Sequence, residues 1–173
     1  MSNKRAVHFI LLTVMIDAIG IGLIMPVMPA LLLDLGGSTL ANAAVWGGVM
    51  STVFALMQFL FGPLIGNISD QFGRRKVLLV SLSVMSLDYV LMGISGSLWL
   101  LLLARIIGGA SAANHSTASA VIADVSEPEE RGKNFGLLGA AFGVGFILGP
   151  VIGGLAAEWG PRAPFFVAAV LAG

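Results

Sequence analysis

The sequence predicts an all-α integral membrane protein built from six apolar segments, and three observations carry that reading. Of 173 residues, 57% are hydrophobic and only 10% are charged, with a mean hydropathy of +0.97. Soluble domains run about 45–50% apolar and about 25% charged. Charged and turn residues then divide the chain into long apolar runs, and the cations collect in alternate connections between those runs.

The first segment, roughly 7–33, follows Lys4 and Arg5 and is interrupted near its far end by Pro26 and Pro29. A secretory leader opens in the same way. The run from Ala6 to Leu33 is too long for one, however, and no small-residue cleavage site closes a short apolar core. The next segments cover about 44–65, 77–94, 98–123 and 135–157. A sixth begins at Ala163 and has 11 residues up to Gly173. Crossing the hydrocarbon takes about 20 helical residues, so the expectation is a truncated sixth helix. Lys4, Arg5, Arg74, Arg75, Lys76, Arg131 and Lys133 fall on one side of this arrangement and Arg162 alone on the other. Seven cations against one place the N-terminus and the even-numbered connections in the cytoplasm.

Composition also excludes several function classes. The formal net charge is zero, which gives no pull toward nucleic acid. There is no cysteine, hence no disulfide and no thiolate metal site. No metal-ligand cluster, phosphate loop or nucleophile–base pair is legible, so neither an intramembrane enzyme nor a cofactor is expected. The partners left are the lipid bilayer and whatever the segments carry across it.

Three ionisable residues lie well inside segments: Asp17, Asp88 and Arg105. Each costs about 2.5–3.5 kcal/mol at a helix centre, so such groups face a cavity or a partner. At 1.5 Å per residue, Asp17 and Asp88 stand about 15 Å from the cytoplasmic ends of their helices. Arg105 enters from the other side and lies nearer the outer leaflet. A buried ion pair that fixes helix register is one reading. A water-accessible path in which a carboxylate takes a proton or a cation is the other, and three such charges in so few helices favour it. Gln58 lines the same path or bonds a neighbouring helix. Asn114 and His115, counted at 100° per residue, lie well off the Arg105 face, and packing is the expected role for His115.

The fifth segment carries a glycine ladder. Gly145, Gly149 and Gly153 are four apart and share one smooth face, a surface for close helix packing; Pro150 and Gly154 interrupt it, and a mid-helix Gly-Pro points to a bend. The expected occupant of that face is a second half of the protein. Gly143, Gly145 and Gly149 also imitate a dinucleotide fingerprint, but that reading needs a preceding strand and a βαβ unit, which the pattern lacks.

The connection Gly66-Asn-Ile-Ser-Asp70-Gln71-Phe-Gly73-Arg74-Arg75-Lys76 resembles the G-x-x-x-D-R-x-G-R-R loop of the major facilitator superfamily, with Gln71 in place of the first arginine. The four-residue spacing lets Asp70 and Arg74 pair on one helical turn. Arg105-Ile-Ile-Gly108-Gly109 is similar to the fourth-helix R-x-x-x-G pattern, and Gly145-x-x-x-Gly149-Pro150-x-x-Gly153-Gly154 to the fifth-helix motif of the superfamily's antiporters. With Asp17-Ala-Ile-Gly, Gln58 and Ser86-Leu-Asp88-Tyr, the chain looks closest to the tetracycline/proton antiporters. The resemblance implies the N-terminal six-helix half of a twelve-helix transporter, organised as an inverted three-plus-three repeat, in a bacterial inner membrane. It implies that Asp17, Gln58, Asp88 and Arg105 line the path for drug and proton. It also implies that Asp70, Arg74 and Arg75, with Gly66, Gly73 and Asp124, form a cytoplasmic gate. The C-terminal half is absent from this chain. The rivals are an exporter of other drugs or small metabolites, and a non-transporting half with an assembly role.

Overall fold

The computed structural model describes residues 3–36, 39–112 and 114–173. Among the described residues eight helices follow one another: α1 (Asn3–Ile24), α2 (Met28–Gly36), α3 (Leu40–Phe72), α4 (Arg74–Ile94), α5 (Leu98–Ser111), α6 (Asn114–Val125), α7 (Arg131–Ala157) and α8 (Ala163–Ala172). No strand occurs among the described residues. Four of these helices, α1, α3, α4 and α7, are long and apolar enough to cross a membrane.

Local chemistry sets the boundaries. Pro26 has no N–H to return to the Gly22 carbonyl, so α1 stops at Ile24 and the chain turns before α2, which carries Pro29 in its first turn, where the missing donor costs nothing. Thr39 and Ser97 cap α3 and α5, their hydroxyls accepting from the N–H of Asn42 (3.3 Å) and Leu100 (3.2 Å). Between α3 and α4 there is one residue, Gly73, with φ of 97°, a backbone region that side chains disfavour.

Two expected segments are therefore discontinuous. The run 7–33 is α1 plus α2. The run 98–123 is α5 plus α6, interrupted after Ser111, with Ala112 at ψ of 44°. The second segment is longer than its hydropathy indicates, because α3 continues past Ile65 through polar turns to Phe72.

The helix neighbours repeat in an inverted pattern. Counting α1–α2, α3, α4, α5–α6, α7 and α8 as six segments, α1 packs chiefly on α7 and α3 on α5, while α4 packs on α8 and α5, and α1 on α8. Exchanging segments one, two and three with four, five and six maps α1–α7 onto α5–α3 and α4–α5 onto α8–α1. The discontinuity of both the first and the fourth segment obeys the same exchange. This is the pairing of an inverted three-plus-three repeat.

Two apolar clusters hold the bundle. One gathers Leu23, Leu31, Met50, Met92, Leu101 and Phe165; the other gathers Val7, Ile10, Val14, Leu78, Ile122 and Leu138. On α1 Asp17 is the one charged residue between Val14 of the second cluster and the buried Ile19 of the first. α3 and α7 leave broad apolar faces uncovered, with Phe59 78% and Ile147 70% exposed.

Candidate substrate and proton pathway

Three concavities run along the α3 side of the bundle. The outer one, about 540 Å³, lies among α1, α2, α3, α4 and α5 and is lined by Met25, Met28, Phe54, Tyr89 and Arg105. The central one, about 520 Å³, is lined by Asp17, Gln58, His115, Phe142, Phe54 and Met85. The third, about 570 Å³, extends from Gln58 and His115 to Asp70 and Arg74. The outer and central spaces share Ile21, Phe54 and Met85. The central and third share Gln58, Ala112 and His115.

The break between α5 and α6 builds the middle of this path. It frees the Ala112 carbonyl, and Gln58 Nε2 donates to it at 2.7 Å, so Gln58 both bonds a neighbouring helix and lines the cavity. The break also brings Asn114 to the start of α6, where its Nδ2 donates to Asp17 Oδ1 at 2.9 Å. His115 follows it into the cavity, its ring edge-on to Phe142 at 5.6 Å. His115 thus packs on Phe142, as expected, and also lines the cavity wall.

Asp88 and Arg105 form the second polar centre. Arg105 Nη2 donates to Asp88 Oδ2 at 2.6 Å and to Met92 Sδ at 2.8 Å, and the guanidinium stands 5.1 Å over the Phe54 ring. Gly108 makes the room: a Cβ there would lie 2.5 Å from Asp88 Oδ2. Asp88 is wholly enclosed and lines none of the three concavities, while Arg105 lines the outer one. Of the four residues expected on the path, Asp17 and Gln58 face the central space, Arg105 borders the outer one and Asp88 stands behind Arg105 as its counter-ion.

At the end of the third concavity Arg74 joins three helices. Its Nη2 lies 3.0 Å from Asp70 Oδ1 and its Nε 2.6 Å from Asp124 Oδ2. Asp70 and Arg74 do pair, but across the Gly73 corner and not on one helical turn. Gly73 is thus the element that turns a four-residue spacing into an interhelix contact. Arg75 stands apart from these ion pairs, its guanidinium 5.7 Å over the Phe9 ring of α1. Gly66 lines the third concavity, and a Cβ there would meet nothing within 4 Å.

The glycine face of α7 is occupied within this chain, contrary to expectation, by α1. A Cβ on Gly145 would strike the Met15 carbonyl; one on Gly149 would lie 2.5 Å from Gly22 Cα, and one on Gly153 2.7 Å from the Leu23 carbonyl. Gly22 itself abuts the Phe146 carbonyl, which Pro150 leaves without its helical donor. Gly154 lies off this face, with open space around it.

The sequence profile of the Major Facilitator Superfamily matches residues 10–173. The chain is 49% identical over 162 residues to the class B tetracycline resistance protein of Escherichia coli, covering 93% of this chain and 40% of the relative. It is 36% identical over 175 residues to multidrug resistance protein 2 of Bacillus subtilis, covering 99% and 42%. Among solved structures, the human organic anion transporter MFSD10 matches with a TM-score of 0.82 and 28% identity, over 99% of this chain and 47% of that one. The chain spans about two fifths of the length of the curated relatives it matches.

Proposed function

This chain belongs to the Major Facilitator Superfamily, a family of membrane transporters, and from that premise we propose that it is one half of a drug/proton antiporter of the bacterial cytoplasmic membrane. The carrying observation is Asp17, a half-buried carboxylate in a central cavity of about 520 Å³ that also presents an amide, an imidazole and two phenyl rings. Drug-sized pockets measure about 300–1,000 Å³ and combine apolar walls with a few convergent polar groups. A carboxylate there holds either a proton or a cationic drug, and that exclusive choice is what couples the two. Alternating access supplies the movement: with the Asp70–Arg74–Asp124 contacts made, the path is closed to the cytoplasm, and with them broken it opens. The relatives named for tetracycline resistance, at 42–49% identity, favour a tetracycline-like substrate. Export of other drugs is the second reading; the relative named for multidrug resistance and the largely apolar outer concavity favour it. No residue is assigned a role in bond-making chemistry.

The test is tetracycline uptake into inverted membrane vesicles under an imposed proton gradient. The complete transporter should accumulate drug and dissipate the gradient as it does so. Residues 1–173 alone should do neither, since α3 and α7 then face no partner half. Uptake by these residues alone would contradict the half-transporter reading.

The orientation yields a second test. Reporter fusions after Lys76 and after Lys133 should read cytoplasmic, and one in the 36–40 connection should read external. A cytoplasmic signal at the latter would invert the topology.

A further inference from the structure

His115 occupies a position that neither the motifs nor the proposed antiport mechanism uses. The central and cytoplasmic concavities meet at three residues, Gln58, Ala112 and His115. Gln58 has spent a donor on the Ala112 carbonyl, and neither of those groups titrates. His115 is the one ionisable side chain that lines both spaces. Asp17 lines the same central space. The groups facing His115 can be enumerated by element. α1 offers Asp17; α3 offers Gln58 and, at the far end of the cytoplasmic concavity, Asp70; α4 offers Arg74 at that same end; α6 itself adds the neutral Ser116, Thr117 and Ala120; α7 offers only Gly139 and Phe142. No cation stands between His115 and Asp17 among the residues lining these spaces.

We propose that His115 is a proton relay, passing the proton held on Asp17 from the central cavity into the cytoplasmic concavity. This rests on the antiport reading above. The step balances simply: the Asp17 carboxyl gives up its proton and becomes a carboxylate, an imidazole nitrogen takes the proton and becomes imidazolium, and the imidazolium then returns it to water on the cytoplasmic side. Imidazole is the side chain whose unperturbed midpoint, about 6.5, lets it carry out both halves of that exchange near neutral pH. The edge-on contact with Phe142 holds the ring at the boundary, and the start of α6 fixes both partners, since Asn114 bonds Asp17 while the next residue is the relay.

Two readouts separate a relay from a wall residue. In histidine-labelled complete transporter, the His115 imidazole signal is assigned by its loss in His115→Gln. Asp17→Asn should change the proton affinity read from that signal at least threefold. A proton affinity indifferent to Asp17 overturns the proposal without touching the antiport reading. In vesicles of the complete transporter, His115→Gln should lower proton-driven tetracycline uptake at least tenfold more than it lowers tetracycline counterflow, which needs no net proton movement. Phe142→Leu, which removes the ring contact and keeps the imidazole, should affect both alike. Equal losses of driven uptake and counterflow in His115→Gln would make the residue part of the drug site and overturn the relay. Should the unsubstituted transporter take up drug without moving protons, the antiport reading itself falls, and the relay with it.

Discussion

Arg74→Ala in the complete transporter should reduce drug efflux at least tenfold, more than Asp70→Asn or Asp124→Asn alone, with little loss of inserted protein. Both carboxylates converge on this one guanidinium, at 3.0 and 2.6 Å, so removing it breaks two interhelix contacts and each neutralised aspartate breaks one. Both carboxylates are well exposed, Asp70 at 58% and Asp124 at 55%, and Arg74 is partly exposed at 26%. Exposed pairs of this kind contribute only about 0–1 kcal/mol to stability, so folding should survive. Transport depends instead on the balance between two conformations, and a contact present in one and absent from the other shifts that balance by its whole value. A change of about 1.4 kcal/mol is tenfold in a population ratio. Efflux from inverted vesicles, normalised to inserted protein, measures it. A smaller loss in Arg74→Ala than in Asp70→Asn would show that the two pairs do not act through a common arginine.

Gly149→Ala should be among the most damaging small substitutions in the molecule, and Gly154→Ala close to harmless. A Cβ at Gly149 meets backbone on α1, 2.5 Å from Gly22 Cα and 2.8 Å from the Ile19 carbonyl, whereas one at Gly154 meets nothing within 4 Å. Backbone cannot swing aside as a side chain does, so the two helices must separate along the face that also carries Gly145 and Gly153. Overpacking typically costs about 1–3 kcal/mol, and at about 2–4 °C per kcal/mol the midpoint of thermal unfolding in detergent should fall by about 5 °C or more. Equal midpoints for the two variants would mean that α1 and α7 are not in this contact.

Much of the fold was legible in the sequence because lipid imposes a demanding pattern: long apolar runs, cations on one side and glycines at helical spacing. What lay out of reach depended on partners and on breaks. Asp88 and Arg105 could be seen to be buried charges, but a separation of 17 residues across two helices does not say that they pair. The glycine face announced a close neighbour without naming α1. The hydropathy of 98–123 runs smoothly through Gly-Gly-Ala-Ser-Ala-Ala, small residues that neither cap nor forbid a helix, so the interruption after Ser111 left no clear mark. That omission left the Asn114–Asp17 bond and the cavity position of His115 out of reach, since angular counting holds only along an unbroken helix. A polar Asn-His pair just after a run of small residues was the signal present. Gly73, by contrast, was singled out by its motif, although its φ of 97°, which carries the Asp70–Arg74 pair around a corner, needed the backbone.

The central claim is that Asp17 couples drug to proton. Its most direct measurement is proton movement recorded with a pH-sensitive dye in proteoliposomes of the complete transporter when tetracycline is added on the side that corresponds to the cytoplasm. The unsubstituted transporter should move protons opposite to the drug. Asp17→Asn, nearly isosteric and still able to accept a hydrogen bond from Asn114, should lower that proton flux at least tenfold while the inserted protein stays folded. Drug-dependent proton flux that persists at its normal rate in Asp17→Asn would contradict the account.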